Sequence, residues 1–415
     1  MNLPHDNKLT LWPAFGLGLS VAAGNGLARF AYALVLPAMR TDLQWSYAEA
    51  GWLGTANALG YILGAVSGYL LLQRLRPSQL FTLGLLLTVS ALLLTGLRAE
   101  QLWLSATRVA AGVGTAWTFA CGGALVAARY QDHPQLGGTA TGMFFAGGGV
   151  GIALAGICVN PLLAHTGSSG WPSAWLVLGL LGTCVSLWPM LEARRIGGSA
   201  NTKASEALDL RGLWPSLGSY FLVACGYIVY MTFIFAWMSD QQLSWHLGTA
   251  VWLVLGGAAA VSPFVWRRAL DTWHPGATLS ATALAMLLGT LLPVLSANLA
   301  SVLVSAASFG VSIFIAPAAV AVLIRKTMKP TQWARGMIFY TVLFAIGQAI
   351  GPVLSGWVAD HSSLNASMGF ASALLGIAAA LALTGMKQVN LRIRAQSPEP
   401  SPLDFSAAHA RDKGG

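Results

Sequence analysis

Charge is scarce in this 415-residue chain. Asp, Glu, Lys and Arg make up 9% of it and apolar residues 55%, whereas about a quarter of a soluble globular protein is charged. Most of such a surface cannot face water, which excludes a soluble domain, and the apolar blocks are too long and frequent for a disordered or collagen-like chain. Cysteine and histidine are scarce as well. Cys121, Cys158, Cys184 and Cys225 all fall inside apolar blocks and the seven histidines all fall outside them, so neither a disulfide framework nor a metal centre nor any other cofactor is expected. The chain also lacks a G-x-x-x-x-G-K-S/T run, and without that phosphate cradle ATP is excluded as the energy source.

What is present is a series of long apolar runs. A hydrocarbon core about 30 Å thick is crossed by roughly 20 helical residues. Twelve blocks meet that length: Leu11 to Pro37, Ala48 to Leu72, Leu80 to Leu97, Leu102 to Ala128, Gly137 to Leu162, Trp171 to Leu191, Leu213 to Met238, Leu247 to Trp266, Ala277 to Leu295, Leu299 to Ile324, Gly336 to Val358 and Ala366 to Met386. The first is too long for a signal peptide, ends in Pro37 and carries Asn25 and Arg29 within it. Lysine and arginine in short loops are retained in the cytoplasm. With the N-terminus inside, 19 of the 23 basic residues fall on the cytoplasmic side, which places both termini there and makes the net charge of +9 topological rather than a nucleic-acid footprint. The reading divides the chain into a cytoplasmic N-terminus 1–10, a six-helix bundle 11–191, a cytoplasmic linker 192–212, a second six-helix bundle 213–386 and a cytoplasmic tail 387–415.

The two bundles echo each other. Leu11-Trp12-Pro13 opens the first and Leu213-Trp214-Pro215 the second, while Ala140-Thr141-Gly142-Met143 matches Ala334-Arg335-Gly336-Met337 at the same block position. Such repeats place a binding site near the bilayer midplane between the halves. Twelve spans in two related halves resemble the major facilitator superfamily, and Arg108-Val-Ala-Ala-Gly112-Val-Gly114-Thr-Ala116 matches its fourth-helix pattern. Gly26 to Tyr32, Gly54 to Tyr61 and Gly226 to Phe233 resemble the YbfB/YjiJ subgroup. The resemblance implies an all-α integral membrane fold of twelve transmembrane helices as two six-helix repeats, with helices one, two and four lining the cavity side of the first half. Two features depart from the superfamily pattern. Leu72 stands where the loop between helices two and three usually carries an acid, and Gly347, Gly351-Pro352 and Gly356 resemble an antiporter motif but sit in helix eleven instead of helix five.

Charge within the membrane costs at least roughly 2.5 to 3.5 kcal/mol, so a buried ionisable residue is a site candidate. Arg29 and Arg108 are the two, about 12 and 9 Å from the outer face at 1.5 Å per residue, and Asn57 lies at a similar depth. Two guanidinium forks, with Asn25 one turn from Arg29 and Tyr61 one turn from Asn57, suit an anion such as a carboxylate. The plain alternative is that Arg29 snorkels to the interface and Arg108 braces a neighbouring helix. From the second half, Tyr220, Tyr227 and Tyr230, read as one helical face, and Tyr340, Thr341 and Gln348 supply rings and polar groups. Tyr227, Tyr230 and Gln348 join Asn25, Arg29, Asn57, Tyr61 and Arg108 as the candidate substrate contacts. No carboxylate lies deep in any span. Glu49 and Asp240, near the outer face, are the candidates for proton coupling, and for Glu49 the alternative is a first-turn acid favoured by the helix dipole.

The expected protein is a monomeric, multi-pass, non-enzymatic secondary transporter in the inner membrane, with a small organic anion as substrate, the lipid bilayer as its other partner and no nucleic acid. Efflux of apolar drugs or metabolites from an aromatic cavity is the rival within transport. A non-transporting sensor is the rival outside it, set back by a tail of about 29 residues, too short for a soluble domain.

Overall fold

In the computed structural model, which describes residues 10–196, 210–329 and 332–396, every regular element is helical. The first span comprises α1 (Trp12–Val21), a widened π-helical stretch (Ala22–Phe30) and α2 (Tyr32–Asp42); α3 (Tyr47–Leu71), α4 (Pro77–Thr95), α5 (Gln101–Arg129), α6 (Pro134–Thr166) and α7 (Trp171–Ile196) follow. After the linker come α8 (Trp214–Asp240), α9 (Trp245–Val265), the short α10 (Arg267–Thr272), α11 (Pro275–Leu295), α12 (Leu299–Gly310), α13 (Ile315–Thr327), α14 (Trp333–His361), α15 (Leu364–Thr384) and α16 (Met386–Gln396). Eleven spans are long and apolar enough to cross a membrane. The remaining one, α3, has 25 residues, and its glycines, tyrosines and Asn57 dilute its hydropathy. Residues 197–209 of the expected linker, the first nine residues and the last nineteen lie outside the described residues.

Two spans expected as continuous helices are broken. In the first, the N–H of Ala31 reaches back five residues to the carbonyl of Gly26 at 3.0 Å. The widened turn coincides with glycines that let backbones meet: Gly26 lies against Gly151 of α6, where a β-carbon on either residue would strike the other's helix. In span ten, the helix stops at Gly310, pressed against Leu255 of α9, and turns through 311–314 before α13 begins. Pro317 sits in the first turn of α13, where its missing N–H is harmless; in an unbroken helix it would clash with the carbonyl four residues before it.

Within the first half α3 packs on α5, α5 on α4 and α4 on α7, and α1 lies on α6; in the second, α8, α11, α14 and α15 pack together with α12 beside α11. Across the halves, α6 runs against α9, with Gly149 on the backbone of Gly256, while α3 crosses α14 and α2 meets α8. The α3–α14 crossing is closed at the face opposite the linker. Gly51 lies under the carbonyl of Pro352 and Gly356 under that of Tyr47, and the Thr55 hydroxyl donates to the carbonyl of Ala349 at 2.5 Å. The glycines and proline in helix eleven thus set this crossing, and Gly347 and Gly351 set the one between α14 and α8. Asp360, at the end of α14, accepts the backbone N–H groups of Tyr47 and Ala48 at 2.8 and 2.9 Å, so an acid of one half caps the N-terminus of α3 in the other.

Candidate functional site

At the linker face the halves stand apart, and between them lies a cavity of 630 Å³. Its mouth is flanked by Gly138, Arg267, Arg325 and Met337. Its inner end is reached by Asn25, Arg29 and Tyr61 from the first half and by Tyr227, Phe344 and Gln348 from the second. Phe30 and Phe314, one beside each break in the two interrupted spans, face each other with ring centroids 6.4 Å apart. The breaks therefore present side chains to the cavity, as π-helical turns commonly do at functional sites.

Arg29 follows Asn25 by four residues in the widened stretch and shares its face. Its side chain is 92% buried, with the residual 8% exposure on the cavity. Among the described residues it has neither a hydrogen-bond acceptor nor an ion-pair partner; its one specific contact is the Tyr61 ring, 5.4 Å from the guanidinium carbon. Arg108 is placed close by and held differently. Gly60 of α3 lies on the carbonyl of Val109 and Gly112 of α5 on that of Asn57, so the two helices touch backbone to backbone. There the Asn57 amide donates to the carbonyl of Arg108 at 3.1 Å, and Arg108 Nη1 donates to the carbonyl of Ala28 at 2.5 Å. The guanidinium of Arg108 lies against both Tyr32 and Trp175, 5.3 and 5.2 Å from their centroids, and those rings stack on each other. The space shared by Arg29, Asn57 and Arg108 is near 10 Å³, room for about one water.

The candidate residues of the second half divide. Tyr227 accepts a hydrogen bond from the Gln348 amide, and its ring stacks on Phe344 at 5.4 Å; Phe344 stacks in turn on Tyr220 at 4.5 Å. Tyr230 does not share this face. Three residues turn a helix through about 300°, which leaves Tyr230 some 60° from Tyr227, and it points to α12, where it stacks on Phe309 and its hydroxyl meets that of Ser305 at 2.9 Å. Asn57 and Arg108 line the small void and not the large cavity. Glu49 and Asp240 lie at the far face: Glu49 closes a capping box with Ser46, and Asp240 is exposed beside Gln241.

Three contributors lie outside the candidate residues read from the sequence. Phe344 lies midway between Tyr340 and Gln348 on one line of four-residue steps, a stripe that can be read from the sequence. Phe314 depends on the break before Pro317. Asp360 stands at the C-terminal end of α14, where the dipole disfavours an acid; the N-terminus of α3 offsets that, 312 residues away in the chain.

Comparison with known proteins agrees with this architecture. A relative in Escherichia coli O157:H7, inner membrane transport protein YdhP, is 26% identical over 381 residues, 88% of this chain and 93% of that one. The structure of a bacterial homolog of the human lysosomal transporter Spinster, inward-facing and unoccupied, superposes with a TM-score of 0.64 at 17% identity, covering 92% of this chain and 96% of that one. The nucleoside transporter NupG gives 0.66 at 12% identity, with 90% and 99% covered; at such identities these two matches speak for the fold alone. The family model described as "Uncharacterised MFS-type transporter YbfB" matches residues 21–384, and the chain belongs to that family of major facilitator membrane transporters.

Proposed function

We propose that this transporter moves a small organic anion by alternating access, with Arg29 as the principal contact. The observation that carries the reading is the state of Arg29: an intramembrane cation, nine-tenths buried, turned to the cavity and without an acidic partner. A bound carboxylate would supply that partner through two parallel hydrogen bonds. Asn25 and Gln348 are the polar groups that complete the contact, with Tyr61 and Tyr227 as ring walls. Arg108 and Asn57 support the site from behind by fixing α5 against α3 and the first span.

The basic residues of the loops gather on the linker face, which supports a cytoplasmic position for that face and for both termini. On this reading the structure is the inward-open state in an inner membrane, and rocking of the 11–191 and 213–386 bundles about the site opens the other side. Opening requires Asp360 to leave the N-terminus of α3. Glu49 and Asp240, on that same rim, are the residues through which a proton would couple to transport. Full pH-dependent accumulation by a Glu49→Gln, Asp240→Asn double variant would remove both from the mechanism.

The deciding experiment measures binding of carboxylates and their neutral amides to detergent-purified protein. Arg29→Gln should lower carboxylate affinity about 10- to 100-fold, the range of a charge-assisted bond in a dry site, while eluting as a monodisperse peak. Unchanged affinity in that variant makes Arg29 structural. The aromatic walls favour a second reading, export of apolar drugs, and Arg29→Gln binding a cationic dye more tightly than the wild type would support it.

A further inference from the structure

We propose that the anion taken by this cavity is a monocarboxylate carried on a flat aromatic ring. The inference rests on the assignment of Arg29 as anion contact and concerns what lies beyond the carboxylate. Among the described residues, the deep part of the cavity holds one cation and no acid; Asp271, the one acidic residue of that set lining it, stands at the mouth, 3.9 Å from Arg267. One guanidinium neutralises one negative charge. A second carboxylate would remain desolvated and unpaired, and the ammonium of an amino acid would find no carboxylate to face.

The rest of the wall is ring surface. Tyr227, Phe344 and Tyr220 form a ladder with interplanar angles of 18° and 25°. The Tyr340 hydroxyl donates to Ser216, whose own proton goes to the carbonyl of Leu213, while the Tyr227 hydroxyl accepts from the Gln348 amide and keeps its proton, so beyond that single donor these residues offer ring surface. Tyr61, whose ring Arg29 overlies, reaches the cavity from the opposite half. A planar ring entering behind its carboxylate meets aromatic surface from both halves, and aromatic pairs, offset-stacked or edge-to-face, gain affinity beyond the area they bury. A polyol would leave its hydroxyls against those faces without partners.

Calorimetric binding to the purified full chain tests this with five probes: cinnamate, cinnamide, 3-cyclohexylpropionate, phenylalanine and terephthalate. Cinnamate should bind best. Phenylalanine and terephthalate should bind at least tenfold more weakly, and 3-cyclohexylpropionate several-fold more weakly. Phe344→Leu and Tyr61→Leu should each reduce cinnamate affinity several-fold while leaving 3-cyclohexylpropionate within twofold. Equal binding of cinnamate and 3-cyclohexylpropionate, unaffected by either variant, overturns the aromatic assignment and leaves the anion reading standing. Equal binding of cinnamate and cinnamide overturns the anion reading itself. Failure of all five probes while a short aliphatic carboxylate binds overturns the aromatic assignment alone.

Discussion

Arg29 and Arg108 are the same residue type, buried at similar depth on neighbouring helices, yet their surroundings are opposites. Arg108 is 1% exposed, donates to a backbone carbonyl of the first span and lies against two rings. Its space is the small void, too tight for a ligand. Arg29 borders that same void but turns its free donors to a 630 Å³ cavity. The arginine that belongs to the recurring fourth-helix pattern is the one spent inside the protein, and the arginine outside that pattern is the one left without an acceptor. A charge braced by its own chain explains architecture; an unbraced one calls for a ligand.

Replacing each arginine by methionine should separate the two, and the largest expected effect is at Arg108. Arg108→Met leaves the carbonyl of Ala28 without its donor and a gap beside the stacked Tyr32 and Trp175 rings, a loss of about 3 kcal/mol from the cavity and the unsatisfied acceptor together. A melting temperature within one degree of the wild type would show that the brace is dispensable. Arg29→Met removes a buried cation that has no acidic partner among the described residues, so the ligand-free protein should melt at the same temperature or higher, a change of about 0 to +1 kcal/mol. Destabilisation equal to that of Arg108→Met would erase the contrast and make Arg29 a second brace.

The contrast also shows how much of the molecule is legible in its residues. Span number and fold follow from apolar length, because a bilayer imposes one dimension on every crossing helix. The meeting of Arg29, Arg108 and Asn57 follows from depth arithmetic together with the family resemblance, which sets helices one, two and four on the cavity side. Which arginine is tied to its own chain does not, because the acceptor of Arg108 Nη1 is the backbone of Ala28, which no side-chain pattern marks; Arg108 Nε has no hydrogen-bond partner among the described residues. The far-face cap is hidden for the same reason: Asp360 bonds main-chain N–H groups at Tyr47 and Ala48. Glu49, read as a coupling acid, closes a capping box with Ser46 in the structure, and that motif was present in the sequence as a serine followed three residues later by a glutamate. The breaks beside Phe30 and Phe314 escape a count of apolar residues, because helix interruption arises from glycine contacts and Pro317, and both are local events inside blocks that remain apolar throughout.

The smallest expected effect tests the same division on α8, where one tyrosine faces the cavity and another the bundle. Ser305 Oγ donates to the carbonyl of Gly289 at 2.6 Å, so its one proton is used and the Tyr230 hydroxyl is the donor in their 2.9 Å contact. Tyr230→Phe removes that donor while keeping the stack on Phe309, and should cost about 1 kcal/mol, the net worth of a buried neutral hydrogen bond. Cinnamate affinity should be unchanged, because nothing in the cavity depends on that hydroxyl. Tyr227→Phe deprives the Gln348 amide of its acceptor at the cavity wall. A donor reoriented there should change cinnamate affinity a few-fold and the melting temperature less than Tyr230→Phe does. If calorimetry instead shows Tyr230→Phe lowering affinity as much as Tyr227→Phe, the bundle-facing tyrosine is coupled to the site, and the line drawn between satisfied and ligand-seeking groups has to move from the cavity wall into the packing of α8 against α12.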